Sequence, residues 1–152
     1  MGLHLRESIV GKKLTQGGKV SDVELLSREE LPRWFEYPTI FLSVVNQGLI
    51  DFHPWHMLNR ERARTRLTSI RGRHPDVEVV PFAWRSDSDI IAGFERAHPE
   101  SVLVFEDFQT SVHGKRYRTF AEWVHAAIDD MLSFEPPGSI WTKPETEKGP
   151  QS

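Results

Sequence analysis

Apolar side chains recur at helical spacing in three segments of the chain. The first runs from Ile40 to Val45, and Pro38 before it suits the first turn of a helix. Gly48 is placed to adopt the left-handed conformation that ends a helix, with Leu49 packing back on Val44. The pattern therefore predicts a short amphipathic helix between Pro38 and Gly48.

The second helical segment follows a capping residue. Asn59 stands immediately before it, and Ala63, Leu67 and Ile70 recur at spacings that place them on one side. Gly72 is predicted to end this helix.

The last helix is predicted from a capping box, in which Thr119 stands three residues before Glu122. Its apolar stripe comprises Phe120, Trp123, Val124, Ala127, Ile128, Met131 and Leu132. Ser27 and Glu30 form the same capping signature earlier in the chain, but Pro32 limits any helix there to a short or kinked one.

Strand-like segments lie between these helices. One is Leu49–Trp55, which closes at the dipeptide His53-Pro54, and three more are Val77–Trp84, Ile90–Glu95 and Val102–Phe108. The short links between the last three suit antiparallel hairpins rather than parallel crossovers.

Side-chain alternation predicts how these strands face. Val80, Phe82 and Trp84 are expected to share one face of their strand. The segment Val102 to Phe105 is apolar on both faces, which places that strand inside the sheet.

The order of the elements predicts an α+β domain, because helices are followed by a meander of strands and then by a closing helix. A chain of 152 residues corresponds to one domain. We place this domain at residues 1–134, with 1–20 extended or forming a peripheral strand, and a tail rich in proline and glycine at 135–152. In the tail, Trp141 either docks on the domain or contacts a partner.

Composition narrows the class of protein. Apolar residues make up 38% of the chain and aromatic residues 11%, which is enough for a hydrophobic core. Cysteine is absent, which excludes disulfides, thiolate catalysis and cysteine-ligated zinc, and which fits a reducing, cytoplasmic location. No apolar run approaches the ~18 residues of a membrane span. A formal charge of −3 argues against a general polyanion binder.

Acidic residues cluster at two points. Asp87 and Asp89 flank Ser88 in a predicted hairpin turn, where such side chains hydrogen-bond the local backbone. Half of a calcium-binding loop is the alternative, but the central glycine and the terminal glutamate are missing. Glu106 and Asp107 end the central strand and are expected near that turn. Adjacent strand residues face opposite sides, which weakens a catalytic role for this second pair.

His53 and His56 are three residues apart, a spacing that suits metal binding on a helix. Pro54 and the preceding strand disfavour a helix there, so the two rings are expected to point apart. The sequence therefore predicts no metal site, and a metal-dependent hydrolase at these histidines and the acidic turn remains an alternative.

Arginine is unusually dense in the second helical segment. The arginines are Arg60, Arg62, Arg64, Arg66, Arg71 and Arg73. Nucleic-acid binding would gather them on one face, interleaved with aromatic rings. They lie instead on both sides of the apolar stripe, and the segment contains no aromatic residue. We interpret them as solvated helix flanks paired with nearby carboxylates, with a nucleic-acid-associated module as the alternative.

Catalytic sequence motifs are missing. The chain contains no phosphate-binding loop, dinucleotide fingerprint, nucleophile elbow or zinc-protease helix. We therefore predict a protein that is not an enzyme, with no catalytic residue and no cofactor.

Three stretches together resemble the SUKH superfamily, which includes fungal cell-wall regulators and many bacterial immunity proteins. They are YPTIFLSVVNQGL leading to Pro54-Trp55, then VVPFAWRSDSDIIAGF, then a late helix with Phe120 and Trp123. The resemblance covers about residues 31–134. Its most specific part is Pro81-Phe82-Ala83 with Arg85 and Asp89.

The resemblance implies a curled, mostly antiparallel sheet with helices packed around it. It also implies binding rather than catalysis, since bacterial members typically neutralise a cognate polymorphic toxin, often a nuclease, by docking over its active site. The shared residues are structural by this resemblance: Gly48 stops a helix, Pro54-Trp55 closes an edge of the core, and Asp89 holds a turn.

We therefore predict a protein partner that is bound by steric and electrostatic occlusion. The predicted contact residues are Asp87, Asp89, Glu106 and Asp107, with Trp55 or Trp84 as an aromatic anchor. Core packing is the alternative for both tryptophans. A net charge of −3 with an arginine-rich helix suits a basic nuclease only moderately, so a partner other than a nucleic-acid enzyme stays open, as does the oligomeric state.

Overall fold

Six antiparallel strands form one open sheet in the computed structural model, which describes residues 23–109 and 114–134. The strands are β1 (Asp51–Phe52), β2 (Trp55–Met57), β3 (Val79–Arg85), β4 (Ile90–Glu95), β5 (Val102–Glu106) and β6 (Gly114–Tyr117). Each strand pairs with the next one in the chain. The helices of the described part are α1 (Thr39–Asn46), α2 (Arg60–Arg73) and α3 (Phe120–Ser133). The predicted α+β class is confirmed.

Local capping fixes the end of α1 and the start of α2, as the sequence predicted. The prediction that Gly72 ends α2 was wrong, because the helix continues through Gly72 to Arg73. Gly48 ends α1 with a φ of 82°, and the backbone N–H of Leu49 donates to the Val44 carbonyl at 3.2 Å. The Asn59 side chain accepts from the backbone N–H of Arg62 at 2.9 Å at the start of α2.

The remaining capping signatures give different results. The Thr119 hydroxyl accepts from the backbone N–H of Glu122 at 3.1 Å, which confirms the capping box of α3. At the earlier signature the Glu30 carboxylate accepts from the Ser27 N–H at 2.8 Å, but only a turn forms there. The segment 1–20, predicted as extended or as a peripheral strand, and the tail at 135–152, including Trp141, lie outside the described residues.

The strand predicted over Leu49–Trp55 is instead a hairpin of two very short strands. The chain turns at a cis His53–Pro54 peptide, so Trp55 begins β2 and pairs back on Phe52 of β1. The prediction was wrong because the turn falls inside the apolar run, and apolarity alone does not locate a turn within such a run.

A bulge in β3 changes the face of Trp84. The register shifts between Pro81 and Ala83, so that Ala83 pairs with Ala92 and Trp84 pairs with Ile91. An extra residue in one strand reverses the alternation beyond it. Trp84 therefore lies on the face of Ile91, and the prediction that it shares a face with Phe82 was wrong.

The strand Val102–Glu106 lies inside the sheet, as its two apolar faces predicted, between β4 and β6. The hairpin links from β3 to β4 and from β4 to β5 are also confirmed. The strand β6 was not predicted, because Gly114 to Tyr117 has no apolar alternation.

Two apolar clusters cover the faces of the sheet. On one face α1 and α3 pack over the strands through closely spaced aromatic rings, among them Phe41, Phe82, Phe94, Phe120 and Trp123. On the other face Ile70 of α2 packs with Val79, Ile91, Leu103 and Phe105. The strands are thus fixed between helices, and the loops at one end of β4 and β5 lie beside α2.

Candidate functional site

The two acidic clusters predicted from the sequence meet at one end of the sheet. Glu106 pairs in register with Ile90, and the backbone N–H of Asp107 donates to the Asp89 carbonyl at 3.1 Å. The predicted proximity of the clusters is confirmed. Asp87, Asp89 and Glu106 are exposed, and we call these three residues the acidic loop surface.

Arg85 holds the first of these loops. Its guanidinium donates two hydrogen bonds to the Asp87 carboxylate, each of 2.9 Å, and one to Asp130 of α3 at 3.2 Å. The hydrogen bonds from Arg85 lower the pKa of Asp87, and the Asp87 carboxylate raises the pKa of Arg85. Asp87 is therefore ionised but already paired, so its charge is partly compensated within the protein.

The carboxylates of Asp89 and Glu106, unlike that of Asp87, have no cationic partner among the described residues. The Asp89 carboxylate makes no ion pair with any residue in the described ranges. Glu106 accepts a hydrogen bond from the Gln109 side chain at 2.6 Å, which leaves its charge uncompensated. These two carboxylates carry most of the free negative charge of the acidic loop surface.

Asp107 and Trp55, which the sequence placed among the contact residues, both lie in the interior. Asp107 is 0% exposed, and its carboxylate accepts from Arg66 at 2.6 Å and from Arg73 at 2.7 Å. Trp55 is 3% exposed and packs edge-to-face on Trp123, while its indole N–H donates to Asp130 at 3.0 Å. Neither side chain can contact a partner directly, and the core-packing alternative holds for Trp55.

Most of the arginines of α2 are paired, as the interpretation of solvated flanks expected. Arg60 and Arg64 both bind Glu30, at 2.8 and 2.7 Å. Arg66 and Arg73 bind Asp107. Among the described residues, Arg62 and Arg71 have no carboxylate partner.

A groove of about 510 Å³ runs along the exposed side of α2. Arg62, Arg66, Arg73, Glu61, Trp84 and Phe108 line it, and we call it the arginine groove. The Arg62 guanidinium lies 5.1 Å from the centroid of the Trp84 ring, and that of Arg73 lies 4.3 Å from the Phe108 ring. Sequence reasoning missed these aromatic neighbours, because they come from the strand and loop opposite the helix.

The rings of His53 and His56 were expected to point apart, but they lie close together. The His53 and His56 rings lie edge-to-face with centroids 5.5 Å apart, and His56 Nδ1 lies 2.8 Å from an Asp51 carboxylate oxygen. Within residues 23–109 and 114–134, no group of three potential ligands converges in a way that would hold a metal ion.

None of the helices in the described ranges is long and apolar enough to cross a membrane. Comparison of the chain with protein-family models, with curated proteins and with solved structures finds no match.

Proposed function

We propose that this protein is a non-enzymatic binding module of the immunity-protein type, which acts in the cytoplasm by covering a functional surface of a partner protein, such as a toxin. The observation that carries the proposal is the acidic loop surface, in which exposed carboxylates sit at the ends of paired strands. The absence of cysteine and the SUKH resemblance support the location and the class of partner.

The loop that carries Asp87 is held in a defined position. Arg85 ties it to α3 through Asp130, and the backbone N–H of Ser86 donates to the Pro54 carbonyl at 2.9 Å. A surface that is fixed before binding loses less conformational entropy on association. This rigidity favours a role in docking over a role as a mobile active-site lid.

The charge of this surface fits a basic partner. Asp89 and Glu106 are exposed and lack a cationic partner among the described residues, so a cationic face would gain electrostatic attraction without first breaking internal ion pairs. Complementary charge mainly speeds encounter and excludes wrong partners. A basic enzyme whose active site attracts anions is the kind of target that such a surface would cover.

The experiment is capture of partners by the tagged protein from its native lysate, with and without nuclease treatment, followed by mass spectrometry. The proposal expects one stoichiometric protein that survives nuclease. Adding the protein to that partner should inhibit the partner's activity with a one-to-one endpoint. Recovery that depends on nucleic acid, or a partner whose activity is unaffected, would contradict the proposal.

A nucleic-acid-associated module is the second candidate, because the structure brings Trp84 and Phe108 beside the arginines of α2. Internal ion pairs count against it, since Arg60, Arg64, Arg66 and Arg73 are already bound to carboxylates. A salt titration separates the two candidates, because binding through several phosphates weakens steeply as salt rises.

A further inference from the structure

Arg62 differs from the other arginines that line the arginine groove. Its side chain makes no ion pair with any residue in the described ranges, whereas Arg66 and Arg73 both bind Asp107. The Arg62 guanidinium instead lies over the Trp84 ring, 5.1 Å from its centroid. A guanidinium that stacks on an aromatic ring keeps the N–H donors at its edge available. Arg62 is therefore charged, positioned by Trp84 and free to bind a ligand.

The charge of the groove matches a single monovalent anion. Three guanidiniums, those of Arg62, Arg66 and Arg73, are accompanied by the carboxylates of Glu61 and Asp107, which leaves one net positive charge. One carboxylate from a ligand would neutralise that charge. A nucleic-acid strand would instead bring one negative charge per nucleotide to a groove that adjoins the acidic loop surface.

The environment of Trp84 in the groove also favours a carboxylate over a nucleobase at that ring. Trp84 is half-buried, and it already has the Arg62 guanidinium at 5.1 Å and the His56 ring at 5.3 Å from its own ring centroid. Base stacking needs an open aromatic face. A carboxylate needs only the edge of a guanidinium, with which it forms two parallel hydrogen bonds.

We propose that the arginine groove binds one carboxylate group of a partner protein, carried by an aspartate, a glutamate or a chain terminus. Arg62 is the principal ligand, Trp84 positions it, and Asp107 fixes the neighbouring Arg66 and Arg73. The source of the carboxylate rests on the proposed function, but the site itself does not. The negatively charged acidic loop surface lies beside this positively charged groove. A partner would therefore contact charges of both signs, which fixes its orientation.

The test is an NMR titration of the full-length, 15N-labelled protein with N-acetylglutamate amide, followed through the Trp84 indole N–H signal. N-acetylglutamine amide is the matched probe, because it has the same shape without the charge. Arg62→Gln is the test variant and Arg71→Gln its control. Arg71 is exposed on the same helix, makes no ion pair within the described part of the chain and does not line the arginine groove.

We expect a saturable shift with the glutamate probe and none with the glutamine probe. Arg62→Gln should weaken the apparent affinity about tenfold or more, and Arg71→Gln should leave it within about twofold, because one charge-assisted contact is lost only in the first variant. Equal responses to both probes, no response to either, or an unchanged affinity in Arg62→Gln would overturn the proposal.

Two further probes identify a different ligand class. Tighter binding of inorganic phosphate or of oligothymidylate than of the glutamate probe, at matched ionic strength, would assign the groove to phosphate-bearing ligands and overturn the carboxylate proposal. These titrations need no protein partner. A failure here is therefore distinguishable from a failure of the capture experiment, which tests the proposed function.

Discussion

At the scale of single residues, Asp107 connects the acidic loop surface to the arginine groove. Its carboxylate binds Arg66 and Arg73, and its carbonyl accepts from His74 Nε2 at 3.0 Å. Its backbone N–H donates to Asp89. A buried carboxylate is stable only when cationic partners compensate it, so this residue fixes the position of α2 against the loops.

Replacing Asp107 by Ala is expected to lower the free energy of unfolding by about 3 kcal/mol, because two guanidiniums lose their partner while a buried space is left. The Arg66 and Arg73 side chains are 27% and 34% exposed, so they can turn towards water and moderate the loss. The measurement is urea unfolding followed by fluorescence. Asp89→Asn, at an exposed carboxylate, should change stability by no more than about 0.5 kcal/mol. Equal effects of the two variants would contradict this assignment.

The sequence placed Asp107 next to the acidic turn but not inside the protein. Adjacency to Glu106 made it a plausible surface residue. Its two arginine partners precede it by 41 and 34 residues, so no local pattern reports the pairing. The orientation of Trp84 was mispredicted for a similar reason. It depends on a bulge in β3, and the alternation of side chains along the sequence does not reveal a bulge. The exposed positions of Asp87 and Asp89 followed from turn chemistry, whereas Glu106 was predicted only as a residue at the end of a strand.

At the scale of elements, α2 is attached to the rest of the protein at both ends by ion pairs. Glu30, in the turn before α1, binds Arg60 and Arg64 near the start of α2, and Asp107 binds Arg66 and Arg73 further along. The hydrogen bond from the Ser27 N–H, with those from the two arginines, lowers the pKa of Glu30 to about 2.

A lowered pKa in the folded state makes the Glu30 contribution depend on pH. It is fully present above the ordinary value of 4.5 and is lost as pH falls towards about 2. Glu30→Gln should therefore be less stable than the parent at neutral pH, and the difference should shrink across that window. Urea midpoints measured at several pH values check this. Glu100→Gln, at an exposed carboxylate with no ion pair among the described residues, is the control, and a difference for Glu30→Gln that stays constant with pH would refute the linkage.

Two glycines near helix ends should respond oppositely to alanine. Gly48 has a φ of 82°, a conformation that costs an L-residue about 1–2 kcal/mol, so Gly48→Ala should destabilise by that amount. Gly72 lies in α2, and an added Cβ there meets no atom within 4 Å. Gly72→Ala should stabilise by about 0.5–1 kcal/mol, because alanine is the better helix former. Thermal unfolding of both variants checks the signs, and the same sign for both would contradict this reading of the helix ends.

Elements with a local signature were predictable, and those set by tertiary pairing were not. The starts of α2 and α3 were predicted from the capping residues Asn59 and Thr119, and the structure contains both capping hydrogen bonds. The strand β6 carries only Gly114, Lys115, Arg116 and Tyr117, and its identity as a strand comes from pairing with β5. The β1–β2 hairpin likewise depends on a turn that apolar patterning does not locate.

At the scale of the whole molecule, a net charge of −3 conceals a separation of charge. Four of the six arginines of α2 share two carboxylates, those of Glu30 and Asp107. Free carboxylates remain on the acidic loop surface, and one free guanidinium remains in the arginine groove beside it. This distribution favours a partner that is recognised by an ordered set of contacts over a ligand recognised by charge alone.

The most direct test of this account is the association rate of the captured partner with the double variant Asp89→Asn/Glu106→Gln. At low salt the variant should associate roughly tenfold more slowly than the parent protein, and the difference should shrink as salt screens the surface charges. Glu100→Gln removes the same type of charge at the turn between β4 and β5, at the opposite end of these strands, and should behave like the parent. A double variant that associates as fast as the parent at low salt would contradict the assignment of the acidic loop surface as the docking surface.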